Sequence, residues 1–528
     1  MKSSDSLHEL VLSLSASELR YIKLSVKDSC IKDDDLMIRL LDNIIVQDIY
    51  DEAQLKERIN NKKFCSKFSS NKNRLQEIIC KCLIDFNKSS IVTYEIYKRL
   101  EISNILSSKG LLDLALKKLR EAKREAIEND QHIALLEILK QKRYIFMQKF
   151  ENDIENSIKR NTAETHATFE KIKNEFEYDR IYDFTFSILR FFGQMNNTMA
   201  MKKLENEMKS VFLKDPNLAI TFESKLKYHL IWCNYFKIKK ELFMEVFYRQ
   251  KVIQLWSLNP QRIKAQPIRY QTSLSNLLLS YNSINYYEEF ENGLSILTKY
   301  SHKNEKNDFT TFRNLYNLKM LYLINTGRFD EMNGLTDKII KGISQFDKSI
   351  DLSFKIIAYY NLAVTKFFCN EYSAALKLIK NIIDLPKTNI RMDIQHFAKF
   401  FRDVLIFQMG KVDNPEYSIR SNRRYFSKYS NGNYIAKFTL NLLDNIYKCN
   451  SEIEKKKLFE VYTIALETLL KDPDYKNLAG LEELHIWSKA IVNKSEIKDV
   501  ARKAISEKNI SKEIFEKRLK EIQKKKKG

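Results

Sequence analysis

Ten glycines and six prolines in 528 residues leave this chain almost without the two residues that interrupt regular secondary structure. Ordinary chains carry roughly one such residue in eight. The shortage excludes a glycine-rich nucleotide-binding sheet, a collagen-like rod and a turn-dense β-sandwich. What remains is a set of long helices joined by short polar turns. Length alone would divide the chain into about three or four domains, and a hydrophobic content of 44% is ample for a large core.

Residues 1–90 read as a bundle of short helices: Ser6 to Val26, Leu36 to Val46, Asp51 to Ile59 and Lys72 to Asp85. Leu7, Leu10, Val11, Leu14, Tyr21 and Leu24 place apolar side chains at steps of three and four. Two readings of the bundle stand. It caps the rest of the chain, or it is a DNA-binding helix-turn-helix served by the basic stretch NKKFCSKFSSNKNR at 61–74.

From residue 91 a phrase recurs. SKGLLDLALKKLREA (108–122) turns at Gly110 and then sets Leu112, Ala115, Leu119 and Ala122 on one helical stripe. The stripe returns as Tyr287, Phe290, Leu294 and Leu297. It returns again as Phe329, Met332, Thr336 and Ile339 after Gly327, and as Tyr372, Ala375, Ile379 and Ile382 before Pro386. Positions 290, 332 and 375 lie 42 and 43 residues apart, and Val246 precedes Phe290 by 44. Each copy has a helix upstream to pack on, so the unit is a helical hairpin. A single hairpin cannot bury both of its stripes, which predicts stacking into a continuous core.

These phrases resemble the second helix of a tetratricopeptide repeat, with Ala115 and Ala375 at its small-residue position. Leu362 and Ala363 are similar to the Leu-Gly step of its first helix, and Tyr359 to its aromatic. The match is divergent: Lys366 stands where the repeat prefers Tyr, Phe290 and Met332 replace the small residue, and Pro386 falls one position early. The step of about 43 residues also exceeds the repeat's 34. The opening phrase, with SLSASELRYIKL at 13–24, resembles that of a group of bacterial proteins built from such repeats. The resemblance implies an all-α fold, an α-solenoid of stacked hairpins with helical caps at both ends, and a generic role in protein binding. About nine hairpins are expected over 91–470. Residues 471–528 are read as C-terminal helices with a basic tail, and prolines such as Pro216, Pro260, Pro415 and Pro473 as helix boundaries.

Ninety Lys and Arg against 68 Asp and Glu give a net charge of +22. Gathered on one face, that charge would attract phosphates. Acidic residues are interleaved with lysine almost throughout, however, as in KKLREAKREAIE at 117–128. A chain rich in Lys, Asn, Ile, Phe and Tyr also matches A/T-rich codon usage, which raises lysine without a polyanion to bind. Seven scattered cysteines suit a reducing compartment. The close pair Cys80 and Cys82 points to opposite sides of a helix, which disfavours a metal or redox role. The start is not an export signal and no run reaches the ~18 to 20 apolar residues of a membrane span, so a cytoplasmic protein is expected.

Motifs of catalysis are missing. There is no Walker-type phosphate loop, no nucleophile elbow, and no pair among His8, His132, His166, His229, His302, His396 and His485 at metal-binding spacing. No enzyme activity, cofactor or metal is expected. Two binding constellations remain. First-helix residues Ile231, Tyr235, Ser275, Leu279, Asn282, Tyr360, Val364 and Phe367 would line a concave face for a peptide, or else be buried within the stack. Arg420, Arg423, Arg424 and Lys428, interleaved with Tyr425, Phe426 and Tyr429, would suit a polyanion, or else be the solvated side of a packed helix. The tail ending in KEIQKKKKG gives residues 494–528 a net charge of +7, read as a frayed, solvated end. The expected function is a non-enzymatic scaffold for another protein. The alternative is a nucleic-acid-associated regulator acting through the N-terminal helices or the arginine cluster.

Overall fold

The computed structural model describes residues 5–28, 34–47, 49–88, 92–149, 153–192, 198–301, 309–346, 350–385, 390–410, 415–427, 434–472, 475 and 478–527. No strand occurs among them. The chain forms two compact units, Met1–Ile181 with Lys209–Lys225, and Tyr182–Met208 with Leu226–Gly528.

Unit 1 begins with α1 (Asp5–Ser13), α2 (Ala16–Asp28), α3 (Asp34–Ile45), α4 (Glu52–Ile59), α5 (Lys62–Ser66) and α6 (Phe68–Asn87). These helices enclose a core of their own around Leu7, Leu40, Ile44, Leu55, Leu75 and Ile79, all at most 2% exposed. The single helix expected from Ser6 to Val26 is two. The break is a capping box: the Ser15 N–H donates to Glu18 Oε2 at 2.8 Å, and the Glu18 N–H donates back to Ser15 Oγ at 3.3 Å. Ser-x-x-Glu satisfies donors that a continuing helix would have paired with its own carbonyls, so α2 starts afresh. The basic stretch 61–74 is also helical, as α5 and the first turns of α6.

A second core in unit 1 joins α7 (Val92–Ser108), α8 (Leu112–Glu128) and α9 (His132–Gln148). Ala115, Leu119 and Ala122, three of the four stripe positions read from the first phrase, are buried there. Next comes α10 (Ile154–Phe192), and the division into units falls within it. At 39 residues it occupies a stretch in which hairpins were expected. Neither Gly nor Pro falls within it, so its interior holds no residue that carries the large helix penalty of those two.

Unit 2 continues with α11 (Thr198–Glu207), α12 (Phe222–Ile238, its start in unit 1), α13 (Leu242–Ser257), α14 (Pro260–Ala265), α15 (Pro267–Ser283), α16 (Tyr287–Ser301), α17 (Phe309–Asn325) and α18 (Phe329–Gln345). Then come α19 (Leu352–Phe368), α20 (Tyr372–Ile383), α21 (Met392–Gln408), α22 (Pro415–Ser427), α23 (Tyr434–Lys448), α24 (Glu452–Lys471), α25 (Leu481–Asn493), α26 (Ile497–Ser506) and α27 (Lys512–Lys527). From α15 to α25 each helix packs on the next, and α15, α17, α19 and α21 each also pack on the helix after that. Val246, Phe290, Met332 and Ala375 are all fully buried, so the 42–44-residue step seen in the letters is a step in the core. Each fully buried side chain of Val or Phe size contributes about 1.5–3 kcal/mol. Pro260 and Pro267 open α14 and α15 at N1, where the missing N–H costs nothing. Pro386 and Pro473 lie outside the described residues.

The turns repeat more faithfully than the letters. Lys240, Asn285, Gly327 and Asn370 adopt φ of 58°, 57°, 70° and 61°. The next N–H in each case reaches back five residues: Glu241 to the Phe236 carbonyl, Tyr286 to Tyr281, Arg328 to Leu323 and Glu371 to Lys366, at 2.8–3.0 Å. This is the Schellman closure, and it needs a left-handed residue whether or not that residue is glycine.

Candidate functional site

The eight residues expected on a concave face divide by burial. Ile231, Ser275, Val364 and Phe367 are 0%, 6%, 2% and 0% exposed, and thus lie inside the helix packing. Tyr235 is half-buried and donates to the Glu205 carboxylate at 3.2 Å, beside Lys239. The Asn282 side-chain carbonyl accepts from Tyr287 Oη at 3.0 Å and from Asn325 at 2.8 Å. Leu279 is the exposed member, at 38%. Tyr360 is covered by the chain's own C-terminal part: it donates to Glu483 Oε1 at 2.6 Å and accepts from the Gly480 N–H at 3.2 Å. Burial pushes both the Tyr360 phenol and the Glu483 carboxyl above their usual ranges.

The arginine cluster on α22 is only partly free. Arg423 is bound to Asp444 at 3.0 Å and to Asn441 at 2.8 Å. Arg420 pairs with Glu416 one turn earlier at 3.0 Å, while Arg424 is exposed. Phe426 is fully buried and Tyr425 lies edge-on to it. Lys428 lies outside the described residues.

The last helices do not simply cap the end. After α25 packs on α24, the chain turns back and visits the hairpin turns in reverse order. Glu496 accepts from Asn370 of the α19–α20 turn at 2.7 Å. On α26, Lys498 binds Asp330 at 2.6 Å, and Arg502 binds Asp330 at 3.2 Å and the Gly327 carbonyl at 3.1 Å, both at the α17–α18 turn. The Ile510 N–H donates to the Asn285 carbonyl of the α15–α16 turn at 3.0 Å. On α27, Phe515 stacks on Tyr286 with ring centres 5.0 Å apart and on Phe243 of α13 at 5.9 Å. Arg518 lies 5.4 Å from the Phe243 ring. The tail read as frayed thus continues a helix as far as Lys527.

The edge so covered is acidic. Glu241, Glu288 and Glu289, Asp330 and Glu331, and Glu371 open the second helices of four successive hairpins. Carboxylates there complement the positive helix N-terminus. Lys498 and Arg502 hold the Asp330 carboxyl below its usual range. A charged cavity of about 570 Å³ sits at the same turn, lined by Gly327, Arg328, Asp330, Glu331, Arg502 and Ser506. A more apolar one of about 540 Å³ lies between α23 and α24, with Tyr434, Phe438 and Tyr475 on its wall.

The stripes are legible in the amino-acid sequence, and this edge is far less so. The available signal was small: an acid one to four residues after each turn, and Phe515 as the lone aromatic after Trp487 in a basic tail. Cys80 is exposed and Cys82 buried, on opposite sides of α6 as their spacing requires. Among the described residues no three His, Cys, Asp or Glu gather around a common metal position, and no helix is long and apolar enough to cross a membrane. No protein-family model matches the chain, and comparison with curated proteins and with solved structures likewise finds no match.

Proposed function

We propose that this chain is a non-enzymatic, cytoplasmic scaffold whose tetratricopeptide-like hairpins stack as an α-solenoid and bind another protein. The observation carrying this reading is the turn repeated at Lys240, Asn285, Gly327 and Asn370 with the same main-chain hydrogen bonds. Modules repeated at a near-constant step contact mainly their neighbours, and such arrays characteristically serve as extended binding surfaces. The test is purification of the full chain from its native cell at about 50 and about 200 mM salt, with mass spectrometry of what accompanies it. One protein recovered in stoichiometric amount at both salts supports the scaffold. Recovery of nucleic acid alone, or of nothing, overturns it.

A second reading, phosphate binding by the N-terminal bundle, is favoured by one observation. Arg58, Lys62, Lys63, Lys67, Arg74 and Lys81 are exposed and have no ion-pair partner among the described residues. Lys67 at the N-cap of α6 and Arg74 and Lys81 within it succeed one another at seven-residue steps, which keeps Arg74 and Lys81 on one side of the helix. The arginine cluster of α22 supports this reading less, since Arg423 and Arg420 are already paired. Absence of any gel shift at about 50 mM salt removes the reading.

A further inference from the structure

The edge of unit 2 formed by the hairpin turns is already occupied by a ligand-like element, and that element is part of the same chain. Its route matches the edge turn by turn, and its charge opposes the edge's. α26 and α27 carry Lys498, Arg502, Lys503, Lys512, Lys517, Arg518 and Lys520 as well as Asp499, Glu513, Glu516 and Glu521, a net positive charge, while carboxylates open α13, α16, α18 and α20. Among the described residues the ion pairs joining the two sides are those of Lys498 and Arg502 with Asp330.

The two helices are held very differently. α26 buries Ile497 and Ala501 and makes the two ion pairs to Asp330. Among the described residues α27 buries one side chain, Phe515 at 4% exposed, while Ile514 stands 42% exposed. Elements with few buried contacts open at low free-energy cost, well below that of global unfolding. Beneath Phe515 lies a formed slot. Phe243 and Tyr286 both lie near-parallel to its ring, with interplanar angles of 25° and 16°. The Asn285 carbonyl receives a main-chain N–H just upstream of the helix. Burial raises the phenol pKa of Tyr286, with smaller contributions from Glu289, Glu288 and Glu516.

We infer that this turn edge is a docking surface for a basic amphipathic helix of a partner protein, and that α27 occupies it in cis until such a helix displaces it. The partner's signature is set by the occupant: an aromatic ring for the Phe243–Tyr286 slot, a cation three residues later over Phe243, and further Lys or Arg facing the acidic turns. The inference rests on the scaffold reading and names the surface that reading leaves unspecified.

The test uses the full chain and, as probe, a labelled peptide of residues 509–527. Wild-type chain, whose slot is filled, should bind the peptide at least tenfold more weakly than full-length Phe515→Ala, because an occupied site reduces apparent affinity in proportion to the open fraction. Arg518→Glu in the full chain should also raise peptide affinity, which guards against a folding defect in the first variant. Binding to Phe515→Ala should weaken with salt and be lost with Phe243→Ala added or with a peptide lacking the Phe515 ring. Equal binding by wild type and both variants, or no binding by a folded Phe515→Ala chain, would overturn the inference. A concentration-dependent dimer of the wild type that Phe515→Ala abolishes would reassign the slot to a second copy of this chain. Peptide exchange without any native protein partner would leave the docking surface standing and remove the scaffold reading. A native partner indifferent to Phe515→Ala would do the reverse.

Discussion

The Arg502 side chain lies directly over Gly327, its Nε donating to the Gly327 carbonyl at 3.1 Å and its Cγ 3.0 Å from where a Cβ on that glycine would stand. A turn of one hairpin and a helix far downstream are thereby held so close that an added Cβ would have to displace Arg502 by a few tenths of an ångström. Gly327 also has φ of +70°, which costs a residue with a Cβ roughly 1–2 kcal/mol. Gly327→Ala should therefore lower stability by at least about 1 kcal/mol and loosen α26, since the added methyl pushes against Arg502. Limited proteolysis checks the second effect: cleavage should appear between residues 494 and 512 before the hairpins are cut.

Lys240 occupies the same turn position as Gly327 but bears the left-handed strain, with φ of 58° and an exposed side chain that makes no ion pair among the described residues. Lys240→Gly should stabilise the chain by about 0.5–1 kcal/mol, the strain relieved exceeding the entropy glycine adds to the unfolded chain. Chemical denaturation resolves a change of that size. An unchanged or lower midpoint would show that the turn is not under strain.

Gly342 in α18 sets two effects in opposition. Alanine is the better helix former by about 1 kcal/mol, yet its Cβ would lie 2.1 Å from the Phe312 ring. That ring is itself packed among Tyr316, Phe346 and Phe354. Overpacking a confined core costs about 1–3 kcal/mol, so after the helix gain Gly342→Ala should destabilise by up to about 2 kcal/mol. A thermal shift upward would mean that Phe312 has room to move.

Arg423 and Arg424 are adjacent in sequence and opposite in role. Arg423→Ala removes a partner of Asp444, which is 9% exposed and held below its usual pKa range despite the opposing effect of burial. The loss should be about 1 kcal/mol, Lys448 remaining as a partially compensating cation. Arg424→Ala should leave the melting temperature where it was. Equal losses from the two variants would contradict this division.

Glu52 supplies a pH signature for unit 1. Hydrogen bonds from Lys56 and Lys72 lower its pKa from the ordinary 4.5 to about 2. Because the folded value lies below the unfolded one, the contribution is complete above pH 4.5 and is lost as pH falls from there toward 2. Glu52→Gln should cost about 0.5–1 kcal/mol at neutral pH, given that the carboxylate is partly solvated. Comparing denaturation midpoints of the two proteins at pH 7 and pH 2 checks the sign: the difference should shrink at the acid end.

Much of the fold was legible as letters because burial is periodic. The stripes Tyr287–Phe290–Leu294–Leu297 and Ala375–Ile379–Ile382 are buried as read, since a helix face that must leave water has to carry apolar residues at steps of three and four. Gly110 and Gly327 mark their turns for a similar reason, a positive φ being least costly without a Cβ. Asn285 and Asn370 make equivalent turns because Asn adopts a positive φ more readily than other residues with a Cβ, whereas at Lys240 packing on both sides imposes a conformation that local propensity disfavours.

Composition and periodicity by themselves determined that this chain is helical and that a buried stripe recurs at steps of 42–44 residues between Val246 and Ala375. Only the tertiary structure decided which faces of the helices remain open. Ile231, Val364 and Phe367 look like surface candidates in a repeat register, and neighbouring helices bury them. The C-terminal helices look like a cap and a loose basic tail, yet they return along acidic turns far upstream in the chain. Contacts at such separations depend on charge and shape brought together by folding, and no local pattern in the chain encodes them.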